Sequence, residues 1–133
     1  MFRAYYCSLF ERCPTCKPLF GFPLELDTCS SATALLASRR LKIHGKILIE
    51  MLNTTLNMLG PDIDLLSEIL LELGEKHQSF GVETTMYPMM GDALIEMLED
   101  ILKEDFTPPL REAWKEIYTE ISHDMIAAQK RIL

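Results

Sequence analysis

From about Ser38 to the end of the chain, apolar residues recur at the spacing of an amphipathic helix. No stretch alternates for long enough with the period of two that a half-buried strand shows. The clearest stripe consists of Leu41, His44, Leu48, Met51, Leu52, Thr55 and Leu59. This pattern predicts an all-α fold with five or six helices.

Glycine and proline residues divide the helical pattern into separate helices. Gly60-Pro61-Asp62 is expected to end the first long helix, and the next runs from about Ile63 to Gln78. Gly81 then lies where a left-handed residue commonly follows a helix. A third helix begins near Thr84, and its early proline is tolerated because the first turn needs no amide donor there.

The last helix has a well-marked start. Thr107 is the expected N-cap, and Pro108 occupies the first helical position, where its fixed φ angle suits a helix. Its apolar face is expected to bury Leu110, Ala113, Trp114, Ile117, Tyr118, Ile121 and Met125.

The first third of the chain is less regular. Phe2 to Phe10 is predicted to form one helix, and Pro14 begins a short second one that ends near Phe20. Residues 24–31 are expected to form a loop or a broken helical turn.

Length and charge limit the functions open to this chain. Its 133 residues suffice for one domain, and the net charge of −7 disfavours nucleic acids and anionic membranes as partners. The sequence contains no apolar run of membrane-spanning length and no recognisable signal peptide at its start. We therefore expect a single cytoplasmic domain over residues 1–133.

All four cysteines, Cys7, Cys13, Cys16 and Cys29, fall in the first thirty residues. Cys13 and Cys16 have CxxC spacing, but no second pair follows, so a structural zinc site is disfavoured. Ordinary free thiols are the main expectation. A regulatory disulfide in this region, such as Cys16–Cys29, is the alternative.

Two histidines lie on the apolar faces of consecutive long helices. His44 continues into Leu48 and Leu52 at four-residue spacing, and His77 follows Leu70 and Leu73 on the buried face of its own helix. A lone histidine of this kind usually belongs to the core. If both helices border a common slot, however, the two imidazoles point into it from opposite sides. Neutral imidazole binds iron well, so a planar iron cofactor is plausible there.

Four segments around these histidines resemble the globin family, in the same order and over nearly the whole chain. LFERCPTCKPLFGFP is similar to the segment in which a proline opens a short helix before a haem-stacking Phe. LKIHGK resembles the distal-helix motif, and LGEKHQSFGV resembles the proximal one. FTPPLREAWKEIY is similar to the start of the last helix in neuroglobins and related non-muscle globins.

The resemblance implies a role for each matching residue. His77 would be the proximal iron ligand, oriented by a backbone carbonyl near Leu73, and His44 would be the distal residue or a sixth ligand. Phe20 would stack on the haem, and Tyr6 would face the distal ligand where many globins have Leu or Phe. The remaining walls would be formed by Leu48, Leu73, Val82, Tyr87 and Met90.

The resemblance also implies that the chain starts within the second helix of the family. Without a first helix, apolar surface around Trp114 and Ile121 is expected to be exposed, which lowers stability or favours a homodimer over a monomer.

As a function, the resemblance implies a haem b protein that reversibly binds O₂, and also NO and CO, for storage, scavenging or sensing. Hydrogen bonds from His44 and Tyr6 would slow O₂ release, and an apolar lining would limit oxidation. The alternative is a globin whose iron is hexacoordinate, with both His44 and His77 as ligands, and whose role is electron transfer or reaction with NO. Any NO dioxygenase or nitrite reductase activity would then depend on an external reductase. A haem-free helical interaction module is a third interpretation.

Overall fold

The computed structural model describes residues 2–28, 35, 37–60 and 62–132. This part of the chain is all-α and contains no strand, as predicted. Three 3-10 helices accompany the α-helices: Pro14–Phe20, Thr84–Met86 and Lys103–Asp105. The α-helices are α1 (Phe2–Arg12), α2 (Arg39–Met58), α3 (Ile63–Ser79), α4 (Tyr87–Leu102) and α5 (Pro108–Ile132).

The helix ends lie close to where the sequence places them. The Ser38 hydroxyl caps α2 by accepting the Leu41 amide at 3.2 Å. Gly81 follows α3 with a φ of 95°, and the Thr107 carbonyl accepts the Arg111 amide at 2.9 Å at the start of α5. Pro61, part of the predicted break between α2 and α3, lies outside the described residues, as do residues 29–31 of the predicted loop.

The helices pack in two main pairs, α1 against α4 and α3 against α5. Each pair has its own core. The first contains Tyr5, Tyr6, Leu9, Phe10 and Met97 among others, and the second contains Leu66, Leu70, Tyr87, Ile121 and Met125. Leu52 of α2 and Val82 after α3 contact both cores, so these two residues join them. The two histidine-bearing helices, α2 and α3, contact each other only over a short stretch.

The crossing of α3 and α5 depends on Gly74. A Cβ atom at this position would lie 2.4 Å from the Met125 carbonyl oxygen and 2.8 Å from the Met125 Cα. Both are backbone atoms, which cannot rotate away as a side chain can. Glycine therefore lets the two helices approach closely enough to form the second core.

The prediction for the start of α5 was wrong in part. Leu110 and Ala113 are exposed instead of buried, whereas Ile121 and Met125 are buried, as the helical spacing predicts. The reason is that α5 joins the second core only from Ile117 onward, so its first two turns have no core to cover them. The burial of Ile121 contradicts the exposure expected there without a first helix, and Trp114 is half-buried.

The cysteines also correct the sequence analysis. Cys13 and Cys16 are free thiols and buried, with their Sγ atoms 2.8 Å apart. The Cys16–Cys29 disulfide that the sequence left open as an alternative is therefore not formed. Cys7 is disulfide-bonded, contrary to the expectation of a free thiol, and Cys29 lies outside the described residues. Burial raises the pKa of the Cys16 thiol, which disfavours the reactive thiolate.

In the part of the chain that the structure describes, no helix is both long enough and apolar enough to cross a membrane.

Candidate functional site

His77 lies near the end of α3 with its imidazole half-buried. Its Nδ1 atom is 2.8 Å from the Leu73 carbonyl oxygen, one turn earlier in the same helix. A carbonyl oxygen can only accept a hydrogen bond, so Nδ1 carries the proton and Nε2 keeps its lone pair. Burial lowers the pKa of His77, although the bond to Leu73 partly opposes this. The result is a neutral imidazole whose Nε2 is free to bind a metal, with its Nδ1 hydrogen-bonded to the carbonyl that the family resemblance implies for it.

A network of hydrogen bonds, largely buried, connects the chain segment after His77 to α4 and α5. The Tyr87 ring centroid lies 6.4 Å from that of His77, and the Tyr87 hydroxyl donates a hydrogen bond to the Gln129 side chain. Gln129 in turn donates from Nε2 to the Val82 carbonyl at 2.8 Å. The hydroxyl of Tyr118 donates to the Tyr87 carbonyl. This network therefore fixes the chain segment that leaves α3 relative to α4 and α5.

Gln129 has a structural role that the sequence analysis missed. It is buried, although glutamine is normally a surface residue. The signal was present in the spacing, because Gln129 follows Ile121 and Met125 at intervals of four and shares their buried face.

His44 of α2 is surrounded by aromatic rings. Its ring centroid lies 5.1 Å from that of Phe20 and 5.8 Å from that of Tyr6, both in edge-to-face geometry. The Tyr6 hydroxyl is hydrogen-bonded to His44 Nδ1. Tyr6 itself is only 1% exposed and His44 is half-buried, so the bond is shielded from water on the Tyr6 side.

The two imidazoles interact electrostatically. Burial lowers the pKa of His44 to about 4, and a positive charge on His77 would lower it further by repulsion. His44 is therefore neutral at pH 7. Each of the two helices thus carries one uncharged imidazole, and the two are near enough for a charge on one to affect the other.

The side chains that the family resemblance assigns to the haem walls are apolar, and most of them are incompletely covered. Leu48, one turn after His44, is half-buried, as are Phe20, Leu73, Val82 and Met90, whereas Tyr87 is fully buried. On α2, Ile43 and Ile47 flank His44 and are 50% and 51% exposed. Two neutral imidazoles and half-buried apolar side chains are the residue types that suit a planar, largely apolar cofactor that carries a metal.

His123, the third histidine, takes no part in this arrangement. It is exposed on α5, and its Nδ1 lies 3.6 Å from an Asp124 carboxylate oxygen. Its neighbours in sequence, Ser122 and Asp124, are polar, which fits a surface position.

Comparison with known proteins identifies the family. Residues 3–125 match the family model described as Globin. The chain belongs to the globin family. All four motifs that suggested this family lie within the matched range.

The curated proteins that this globin resembles include several fish neuroglobins. It is 32% identical to neuroglobin-2 of Oncorhynchus mykiss over 126 residues, which is 95% of this chain and 74% of the relative. Identity is also 32% to the neuroglobin of Dissostichus mawsoni and 31% to that of Danio rerio, each over 86% of this chain and 69% of the relative. The chain is thus a neuroglobin-like globin, a haem protein of a family that binds diatomic gases.

Proposed function

We propose that this globin holds haem b through His77 and reversibly binds O₂, and also NO and CO, for oxygen storage, scavenging or sensing. The observation that carries the proposal is the state of His77, whose Nδ1 proton is bound by the Leu73 carbonyl so that Nε2 is available to iron. The haem, when bound, supplies the iron at which a gas binds.

On the distal side, His44 is placed to hydrogen-bond a gas molecule. If haem is held here, a hydrogen bond donated by His44 would favour retention of O₂ over CO, because O₂ is the better hydrogen-bond acceptor of the two. We assign Phe20 and Leu48 to the apolar lining of the distal pocket, with Met90 and Val82 at the inner wall. With haem bound, this lining would exclude water, which would strengthen a hydrogen bond from His44 and slow oxidation of the iron.

Leu73 and Tyr87 have supporting roles on the proximal side. Leu73 orients His77 through its carbonyl, and Tyr87 closes the wall against which the His77 ring lies. We further propose one globin domain over residues 1–133 that acts in the cytoplasm as a monomer or homodimer. The net charge of −7 supports the expectation that it binds neither nucleic acid nor anionic membranes.

The rate of O₂ release from the haem-loaded, reduced protein tests this function. We expect the visible spectrum to change on admission of O₂ and to return under argon. His44→Leu removes the hydrogen-bond donor and puts an apolar side chain in its place. O₂ should then dissociate about ten- to a hundredfold faster, whereas the dissociation rate of CO should change much less. Stopped-flow displacement measures both rates.

His123→Leu is the matched control, because it makes the same change at an exposed helical position. Its O₂ release should equal that of the unmodified protein. Failure to bind O₂ reversibly, or equal release from the His44→Leu and His123→Leu variants, would contradict the proposed function.

A further inference from the structure

The two histidines make different hydrogen bonds through the same ring atom. His77 Nδ1 faces a carbonyl oxygen, which can only accept, whereas His44 Nδ1 faces the Tyr6 hydroxyl, which can donate. A neutral imidazole carries a single N–H. The partner at Nδ1 therefore decides whether that proton is on Nδ1 or on Nε2, and so what Nε2 can do.

We propose that Tyr6 is a positioning residue that keeps His44 a hydrogen-bond donor and prevents it from becoming an iron ligand. The Tyr6 hydroxyl donates its proton to His44 Nδ1, which leaves the single imidazole proton on Nε2. With a proton there, Nε2 has no lone pair to offer a metal but can donate to a gas molecule. This inference rests on the proposed haem site and settles which role His44 takes within it.

The surroundings of Tyr6 favour this direction of the hydrogen bond. Tyr6 lies in the first core, with Tyr5, Phe10 and Phe20 against its ring, and burial raises its pKa, so the phenol stays protonated. A phenolic hydroxyl is a strong donor, and the unprotonated nitrogen of a neutral imidazole is a strong acceptor. The Phe20 ring packs edge-to-face against His44, with centroids 5.1 Å apart, and so restricts rotation of the imidazole.

Ligation by His44 would require a rearrangement of protons. The imidazole proton would have to move from Nε2 to Nδ1, and Tyr6 would have to accept that proton in a hydrogen bond while turning its own toward another acceptor. In that state the present hydrogen bond, from the Tyr6 hydroxyl to His44 Nδ1, is lost. Its free energy therefore disfavours binding of His44 to the iron. Tyr6 thus acts on the gas through His44, not by touching it.

The tautomer can be measured without haem. In the apoprotein labelled with ¹⁵N, two-bond ¹H–¹⁵N correlation spectra distinguish a protonated ring nitrogen from an unprotonated one. We expect the proton on Nε2 of His44 and on Nδ1 of His77. In Tyr6→Phe, which removes only the hydroxyl, His44 should become a mixture of both tautomers, whereas His77 should be unchanged.

The coordination state gives the second readout. In the reduced, gas-free haem protein, the ratio of six-coordinate to five-coordinate iron in the visible spectrum should rise about two- to tenfold in Tyr6→Phe, as expected for loss of one hydrogen bond. Tyr5→Phe is the matched control, because it removes a hydroxyl from the adjacent buried tyrosine of the same helix. It should leave both the tautomer and the ratio unchanged.

The outcomes separate this inference from the proposed function. A His44 proton on Nδ1 in the unmodified protein, or a Tyr6→Phe variant identical to Tyr5→Phe, overturns the inference even when haem binds. Faster O₂ release in Tyr6→Phe with an unchanged tautomer also overturns it, because Tyr6 would then donate directly to the gas. Failure of the apoprotein to bind haem overturns the proposed function, and the nitrogen spectra still decide the tautomer.

Discussion

Replacing His77 with glycine is expected to abolish stable haem binding. The variant removes the nitrogen that is oriented by the Leu73 carbonyl and left available to iron. The half-buried apolar lining alone provides no bond to the metal, so haem should dissociate during gel filtration. We expect the Soret absorbance retained per chain to fall at least about tenfold. Loss of a group that only hydrogen-bonds a metal ligand lowers metal affinity about tenfold or more, and loss of the ligand itself should cost more.

His123→Gly is the control for this experiment, because it also replaces a helical histidine with glycine, at an exposed position. Both variants lose helix stability through the glycine, so a difference in haem retention between them is due to the loss of the His77 imidazole. Added imidazole should restore part of the Soret band of His77→Gly by entering the vacated space. Equal retention of haem by the two variants would show that His77 is not the ligand.

The second large effect is expected at the crossing of α3 and α5. Gly74→Ala should lower the free energy of unfolding by about 2 kcal/mol or more, because the new methyl group meets the Met125 backbone at 2.4 Å. Alanine favours helix by about 1 kcal/mol over glycine, which offsets only part of this strain. The midpoint of urea unfolding of the apoprotein measures the difference.

Glu75→Ala is the matched control, since it introduces alanine at the next, exposed position of the same helix. Its free energy of unfolding should stay within about 0.5 kcal/mol of the unmodified protein. If Gly74→Ala is as stable as Glu75→Ala, α3 and α5 do not approach each other as closely as the structure shows.

Much of the fold was predictable because its signals are local. Helical spacing predicted α2 and α3 to within a few residues and α4 to within three residues of its start, since the 3-10 helix Thr84–Met86 precedes it. Gly81 and Pro108 marked helix ends that depend only on backbone conformation. Burial along α5 was less predictable. Leu110 has the right spacing for a buried face, but only tertiary packing decides where along α5 the second core begins.

The candidate site divides in the same way. The positions of His44 and His77 follow from helical spacing, and the His77–Leu73 bond follows from one helical turn. The Tyr6–His44 bond joins residues 38 positions apart, so its existence depends on how α1 packs against α2. Sequence analysis could place Tyr6 on the distal side only through the family resemblance, and it could not show which atom its hydroxyl meets.

Titration of the purified apoprotein with haem tests most directly whether the two histidines form a haem site. We predict a Soret band that grows linearly and stops at one haem per chain. In the reduced, gas-free protein, the visible spectrum should show the single broad band of five-coordinate iron. A Soret absorbance that rises without a break point, or no protein-bound Soret band at all, would contradict the assignment of His44 and His77 to a haem pocket.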